Sequence, residues 1–302
     1  RAVVLPSYLC KPLCYASARN EHPYGGGEVM RVLLALLSSA YLLSMSPSAM
    51  AIDAEANPIF TNRIVFGGGV FQAKTDAVIG AESLNGNMQA ELDFDDLGLD
   101  ESVSSPMAYA LLRLGKRWRI ELDYTNVENS GSGSVDAIDL GGIVIPVKAT
   151  ANSEVNTRFI TTRLGFSIVR NETAELGLSA GLSAARIEAG LSGTVEGIGS
   201  GSGFVSAEVP LPSLGLYGTL ALTKKLSIGG RAGLFSIDID EDEGDLQDFF
   251  ASVDYFFTKN VGVGLGYKYI NIDVTIKEDD YRQIYKIRQS GPVAYLSLGF
   301  GS

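Results

Sequence analysis

Segments in which apolar residues strictly alternate with small or polar ones recur along this chain, and that alternation confines it to β-structure. Ile160, Thr162, Leu164, Phe166 and Ile168 alternate with Thr161, Arg163, Gly165 and Ser167. Leu176, Leu178, Ala180, Leu182 and Ala184 alternate with Gly177, Ser179, Gly181 and Ser183, and Val261, Val263, Leu265, Tyr267 and Tyr269 with Gly262, Gly264, Gly266 and Lys268. A period of two is the signature of a strand, whose successive side chains point to opposite faces. Residues 52–302 contain no apolar run near the roughly 20 residues that a spanning helix needs.

A soluble antiparallel sheet alternates in the same way, with its apolar face turned inward. Three features favour the inverse arrangement. The first is Met30–Ala51, where Arg31 precedes an apolar run from Val32 to Met45 and a small-x-small site at Ala49-Met50-Ala51 follows. That is the pattern of a secretory signal peptide, with cleavage expected before Ile52. Gly25-Gly26-Gly27-Glu28 looks like translated ribosome-binding sequence, so residues 1–29 are expected to be a mis-called upstream segment. The second feature is the non-apolar face of the strands, rich in Gly and Ser and studded with single charges. The third is the connections. Gly115-Lys116-Arg117, Arg170-Asn171-Glu172-Thr173, Thr223-Lys224-Lys225 and Thr258-Lys259-Asn260 are short, and long polar segments separate them. Tight turns at one end and long loops at the other mark a transmembrane barrel, the form in which a sheet pairs every backbone group in lipid.

The fold expected is therefore all-β: a transmembrane up-and-down antiparallel β-barrel domain over residues 52–302. Ten strands are expected near 64–75, 107–115, 118–127, 157–168, 174–186, 208–222, 226–237, 247–256, 261–275 and 292–300, with eight or twelve as alternatives. Gly67-Gly68-Gly69 makes the first strand the weakest in pattern. Trp118, Phe166, Tyr255, Phe257 and Phe300 fall beside short turns or the C-terminus, and Tyr124, Tyr267 and Tyr269 towards the long loops. Amphipathic rings prefer these two interfaces.

With the signal-peptide pattern, the alternating strands and the final segment Pro292-Val293-Ala294-Tyr295-Leu296-Ser297-Leu298-Gly299-Phe300, the chain resembles small Gram-negative outer-membrane β-barrel proteins. Leu92–Asp100 resembles an acidic segment of uncharacterised barrels of this kind. In that class the last strand ends in an aromatic read by the barrel-assembly machinery; here Gly301 and Ser302 follow Phe300. The resemblance implies an outer-membrane location and a fold, and no particular activity.

Composition narrows the chemistry. The net charge is −11, and losing the four basic and two acidic residues of 1–51 takes it to −13. So acidic a chain is no nucleic-acid binder. Cys10, Cys14 and His22 all precede Ile52, leaving no disulfide, thiol nucleophile or imidazole in residues 52–302. Barrel enzymes such as omptin proteases, lipid A deacylases, palmitoyltransferases and phospholipases typically use a His, the side chain suited to proton transfer near neutrality. No enzymatic activity is expected, and no cofactor or metal site is read.

If the apolar faces meet lipid, Arg113, Arg119, Glu121, Asp123, Arg163, Arg231, Asp254 and Lys268 face the lumen. Buried charges persist when paired, so the leading expectation is an interior largely closed by ion pairs. The alternative is a narrow small-solute channel with a weak anion preference, set by a surplus of cations and above all by Arg163 and Arg231.

Two loops are acidic, with Asp93, Asp95, Asp96, Asp100 and Glu101 in the first and Asp238, Asp240, Glu241, Asp242, Glu243 and Asp245 in the fourth. The second run opens like a Ca²⁺ loop but carries Glu243 where Gly is required and Phe249 where Glu is required. Gly141–Val147 is an apolar patch in an expected loop, and Val195–Phe204 is Gly/Ser-rich and expected to be flexible. A third functional reading is therefore a loop-mediated adhesin. The partners expected are outer-membrane lipid, lipopolysaccharide and, during biogenesis, the barrel-assembly machinery, with the protein itself a monomer.

Overall fold

The computed structural model describes residues 56–83, 89–93, 99–139, 144–195, 199–239, 242–277 and 281–301. The upstream segment 1–29 and the signal-peptide pattern 30–51 lie outside them. A helical turn, α1 (Pro58–Thr61), precedes β1 (Ile64–Ser83), β2 (Gln89–Asp93), β3 (Val103–Leu114), β4 (Trp118–Asp139), β5 (Val144–Arg170) and β6 (Ala174–Val195). Then come β7 (Gly199–Ala221), β8 (Leu226–Ile239), β9 (Asp242–Phe256), β10 (Val261–Lys277) and β11 (Tyr281–Phe300). Sequential neighbours pair antiparallel from β3 to β11. β1 closes the ring, pairing Ile64 with Leu112 of β3 on one edge and with Phe300 of β11 on the other. β2 is a short appendage on the distal part of β1, so ten strands make a closed barrel.

Every expected strand is present, but each long connection is shorter than its composition suggests. β4 and β5 remain paired out to Asp139 and Val144, and β6 and β7 out to Val195 and Gly199. Of the Gly/Ser segment, 196–198 lie outside the described residues, and from Gly199 on it is not flexible loop but paired strand, Ser200 facing Thr194 and Gly201 facing Gly193. Small side chains on both strands allow that pairing without an apolar face. Of the apolar patch, 141–143 lie outside the described residues and Val144–Val147 begin β5.

The extra length follows from a change of phase. On β5 the outward residues Phe166, Leu164, Thr162 and Ile160 give way to Arg158, Asn156 and Glu154. On β6 the outward run Leu176–Ala184 gives way to Arg186 and Glu188, and on β10 Tyr267 and Tyr269 give way to Asn271, Asp273 and Thr275. Over the same stretches the inward residues become apolar: Phe159 and Val155, Ala185 and Ile187, Ile270 and Ile272, all buried. The wall is apolar outside in its proximal half, and in its distal half it has the ordinary apolar interior of a protein in water. Leu176 to Ala184 rises about 20–25 Å along the barrel axis, given about 3.3 Å per residue and a tilt near 40°, the height of an outer-membrane apolar band.

Rings border that band. Trp118 meets Phe166 edge to face at 4.9 Å and Tyr255 meets Phe257 at 5.2 Å near the short turns, while Tyr124 and Tyr267 lie exposed near its distal edge. Leu178, outward and 57% exposed, sits in the band, whereas exposed Ser130 on β4 lies beyond it. Leu178→Arg is expected to cost about 2–4 kcal/mol of folding free energy in lipid. Ser130→Arg is expected to change it by less than about 0.5 kcal/mol. Urea titration of refolding into vesicles measures both, and equal costs would displace the band.

Candidate functional site

The proximal half of the barrel interior holds a stack of charged and aromatic side chains. Nearest the short turns, Glu175 of β6 receives both Arg113 contacts, Nη1 donating to Oε1 at 3.0 Å and to Oε2 at 2.8 Å. Ser167 Oγ donates to the same carboxylate at 2.5 Å, and Arg119 Nη1 lies 3.6 Å from Oε2. Arg119 also pairs with Glu121, and its guanidinium lies 3.2 Å from the centroid of the Tyr217 ring, a cation–π stack.

Farther in, Asp123 of β4 binds two arginines, Arg163 from β5 and Arg231 from β8, the latter at 2.6 Å. Arg163 pairs in addition with Asp248 of β9. Lys268 Nζ donates to Thr125 Oγ1 at 2.8 Å. Asp254 accepts from Tyr295 Oη at 2.6 Å and from Ser252 Oγ at 2.9 Å. Tyr295 in turn meets Tyr109 edge to face at 5.3 Å. Gly67 and Gly264 leave room for these two rings, since a β-carbon at either would collide with Tyr109 or Tyr295. The weak pattern of the first strand is thus a packing requirement at Gly67.

All eight residues proposed from the sequence occur in this stack. Two more carboxylates, Glu175 and Asp248, belong to it and escaped sequence reasoning. Their signal was present: Glu175 continues the Gly177–Ser179 face of its strand, and Asp248 is in phase with Asp254. The omission matters, because Arg113, Arg119, Arg163, Arg231 and Lys268 then face Glu121, Asp123, Glu175, Asp248 and Asp254 in equal number. The surplus of cations behind the expected anion preference is absent.

Both ends of the stack are covered. On the distal side lies a dry core of Phe159, Ala185, Leu211, Leu246, Ile270 and Ile272, flanked by further clusters around Ile187 and Phe71. Leu99, in the segment that follows β2, turns into that core. On the proximal side the chain before β1 folds under the barrel. Asn57 caps α1, its Oδ1 accepting from Ile59 N at 3.0 Å, with Pro58 at the first helical position. Asn57 Nδ2 donates to Thr223 O and Asn62 Nδ2 to Lys259 O, bonds to two different turns. Arg113 and Arg170 donate to the carbonyls of Ile59 and Phe60. Between this cap and the aromatic layer remains a chamber of about 100 Å³ bordered by Ile59, Tyr109, Arg113, Arg231, Phe250 and Asp254. It has room for a few waters.

No protein-family model matches the chain, and no curated protein matches it in sequence. Among solved structures it is similar to the outer-membrane protease OmpT of Escherichia coli, with a TM-score of 0.54 and 12% identity over 84% of this chain and 100% of that one. The translocator domain of the autotransporter NalP of Neisseria meningitidis aligns at a TM-score of 0.45 and 14% identity, covering 91% of this chain and 99% of that one. OprG of Pseudomonas aeruginosa gives 0.37 and 11%, covering 83% and 100%. The fold is that of Gram-negative outer-membrane β-barrels.

Arg163 is the natural test of the stack, since it joins both Asp123 and Asp248. Arg163→Leu leaves Asp248 without its arginine and Asp123 with Arg231 alone, and is expected to destabilise the barrel by about 3–5 kcal/mol. Adding Asp248→Asn removes one of those charges and is expected to restore part of the loss. Denaturation midpoints of the single and double variants in vesicles measure it; no recovery in the double variant would mean the pairs are not coupled through Arg163.

Proposed function

We propose that this is an exported, non-enzymatic outer-membrane barrel with a sealed lumen, whose role is exercised at its surface. The observation that carries the reading is the dry apolar core across the distal half of the interior. An ion entering from the distal mouth would have to cross Phe159, Leu211, Leu246, Ile270 and Ile272 before reaching any polar group of the stack. Below them the cations are engaged by carboxylates or hydroxyls, and the N-terminal cap lies across the short-turn end.

A catalytic role has little to draw on. Residues 52–302 hold no histidine or cysteine, and the buried carboxylates are held by arginines or by hydroxyl donors, as Asp254 is by Tyr295 and Ser252. On this reading the leader is cleaved before Ile52 and the barrel-assembly machinery inserts the chain. It then stands as a monomer among outer-membrane lipid and lipopolysaccharide and binds no nucleic acid. The narrow-channel reading is weaker, because it requires the distal core to part. The hairpins beyond the band, β4–β5 and β6–β7 above all, are the surface available to partners.

Planar-bilayer recording of the purified protein at neutral pH tests the sealed lumen. A silent bilayer is expected, with heat-modifiable mobility on gels showing that the barrel is folded. Discrete, reproducible conductance steps would overturn the reading and return Arg163 and Arg231 to consideration as a filter.

A further inference from the structure

The join between β7 and β8 is incomplete. β6 and β7 pair continuously from Ala174–Leu220 to Val195–Gly199. β7 and β8 pair only from Ala221–Ser227 to Leu214–Leu234. Beyond Leu234, β8 stays with β9 as far as Ile239–Asp242. Gly199–Ser213 of β7 therefore has a partner on one edge alone among the described residues.

Which backbone groups are left over follows from the period of two. Ala221 N donates to Thr173 O, on the β6 side, and Leu222 N donates to Leu226 O, on the β8 side. The β6–β7 register runs without a bulge, so even-numbered residues of β7 turn their N–H and C=O toward β8. Pro210 and Pro212 are both even. Neither can donate to β8, which ends that ladder at Leu214, and neither disturbs the bonds to β6. Level with the apolar residues Leu182 and Ala184 of β6, the open edge thus carries no donor. Farther out it carries the free N–H and C=O groups of Glu208, Ser206, Phe204, Ser202 and Ser200, with no lysine or proline to blunt them. Phe204 stands on its outer face, 68% exposed.

The β8–β9 hairpin stands at the foot of that edge: continued past Leu214–Leu234, the β7–β8 register puts Asp238 and its partner Glu243 level with Pro210. Glu208, on the edge itself, is exposed. Glu243 and Asp245 are exposed. Opposite Asp245 on β10, the Asp273 carboxyl is held above its ordinary range, first by burial and then, against the pull of Lys286, by Asp245 and Glu243.

We propose that the open edge of β7 from Ser200 to Glu208 takes up an extended, cationic segment of another polypeptide as an added strand, drawn by Glu208 on the edge and by Glu243 and Asp245 of the β8–β9 hairpin at its foot. Strand addition supplies main-chain hydrogen bonds, and the carboxylates select for lysine and arginine in the incoming segment. A second copy in the same membrane does not fit. A twofold axis along the membrane normal carries β7, tilted roughly 40° from that axis, onto a copy tilted the opposite way, so the two open edges cross steeply and form no ladder. The site rests on the surface-role reading but not on the sealed lumen, which conductance tests separately.

The test uses the protein purified from outer membranes into lipid nanodiscs, with a ten-residue alternating Lys-Val peptide and its Glu-Val counterpart as probes. The Lys-Val peptide is expected to bind saturably and the Glu-Val peptide at least tenfold more weakly. Ser202→Pro with Ser206→Pro removes two edge donors without touching the β6 ladder, so the variant is expected to assemble normally and lose at least tenfold in affinity. Ala207→Pro, whose N–H faces β6, is expected to impair assembly. Absence of saturable binding overturns the proposal, and so does undiminished binding to the double-proline variant, which would mean charge attraction alone. Failure of the double-proline variant to assemble would overturn the edge assignment itself. Glu243→Gln with Asp245→Asn keeps the edge and is expected to lower affinity for the Lys-Val peptide at least threefold; unchanged affinity would remove the acidic hairpin from the site.

Discussion

A peptide group in hydrocarbon has no water to bond, so wherever this wall meets lipid its backbone has to be paired. β1 meets that demand with a single strand, giving one edge to β3 and the other to β11 from Ile64 onward. The rest of the architecture is arranged around this closure. At the incomplete β7–β8 join the breach is kept small, for the unpaired positions of β7 nearest the apolar band are Pro212 and Pro210, which have no N–H to leave unsatisfied and only a carbonyl each. The obligation lapses in water, and there the edge from Glu208 outward carries its full set of donors.

Closure also fixes what the interior has to be. A ten-strand barrel encloses space that must be filled, and the chain fills it in two ways. Where lipid surrounds the wall, the filling is ionic, with arginines tied to carboxylates mostly of other strands, as Arg163 is to Asp123 and Asp248. Burying such charges is costly in isolation and is offset by pairing and hydrogen bonding, which makes the stack depend on its members jointly. Where water surrounds the wall, the filling is apolar, because an apolar interior then has solvent to drive it. Outer and inner faces exchange character at the same level, between Ile160 and Arg158 on β5 and between Tyr269 and Asn271 on β10.

That exchange explains what could be read in advance. The proximal strand segments were legible because apolar, small and charged residues alternate there with one phase. Their distal continuations alternate with the opposite phase, as in Ile270-Asn271-Ile272-Asp273-Val274, and so look like the end of a strand to a reading that holds the phase constant. The Gly/Ser stretch of β7 gives no apolar signal in either phase; its order comes from the neighbouring strand. Glu175 and Asp248 were readable from parity and went unread. The cap was not, since Asn57 and Asn62 act through bonds to Thr223 and Lys259, more than 150 residues away in sequence.

The prolines at 210 and 212 show how much a two-residue period encodes. In a strand the period sorts side chains between two faces and, in the same stroke, sorts backbone groups between two edges. Two prolines separated by one residue therefore fall on the same edge and remove donors from it alone, leaving the other edge intact. A pair separated by two residues would have broken one bond on each side and cost the strand its place in the wall. Pro210-Leu211-Pro212 thus marks an edge strand and names the edge. It also places Leu211 between the prolines as an inward residue that keeps its bonds to β6 and packs into the dry core, so that the wall opens at its backbone while the interior behind it stays closed.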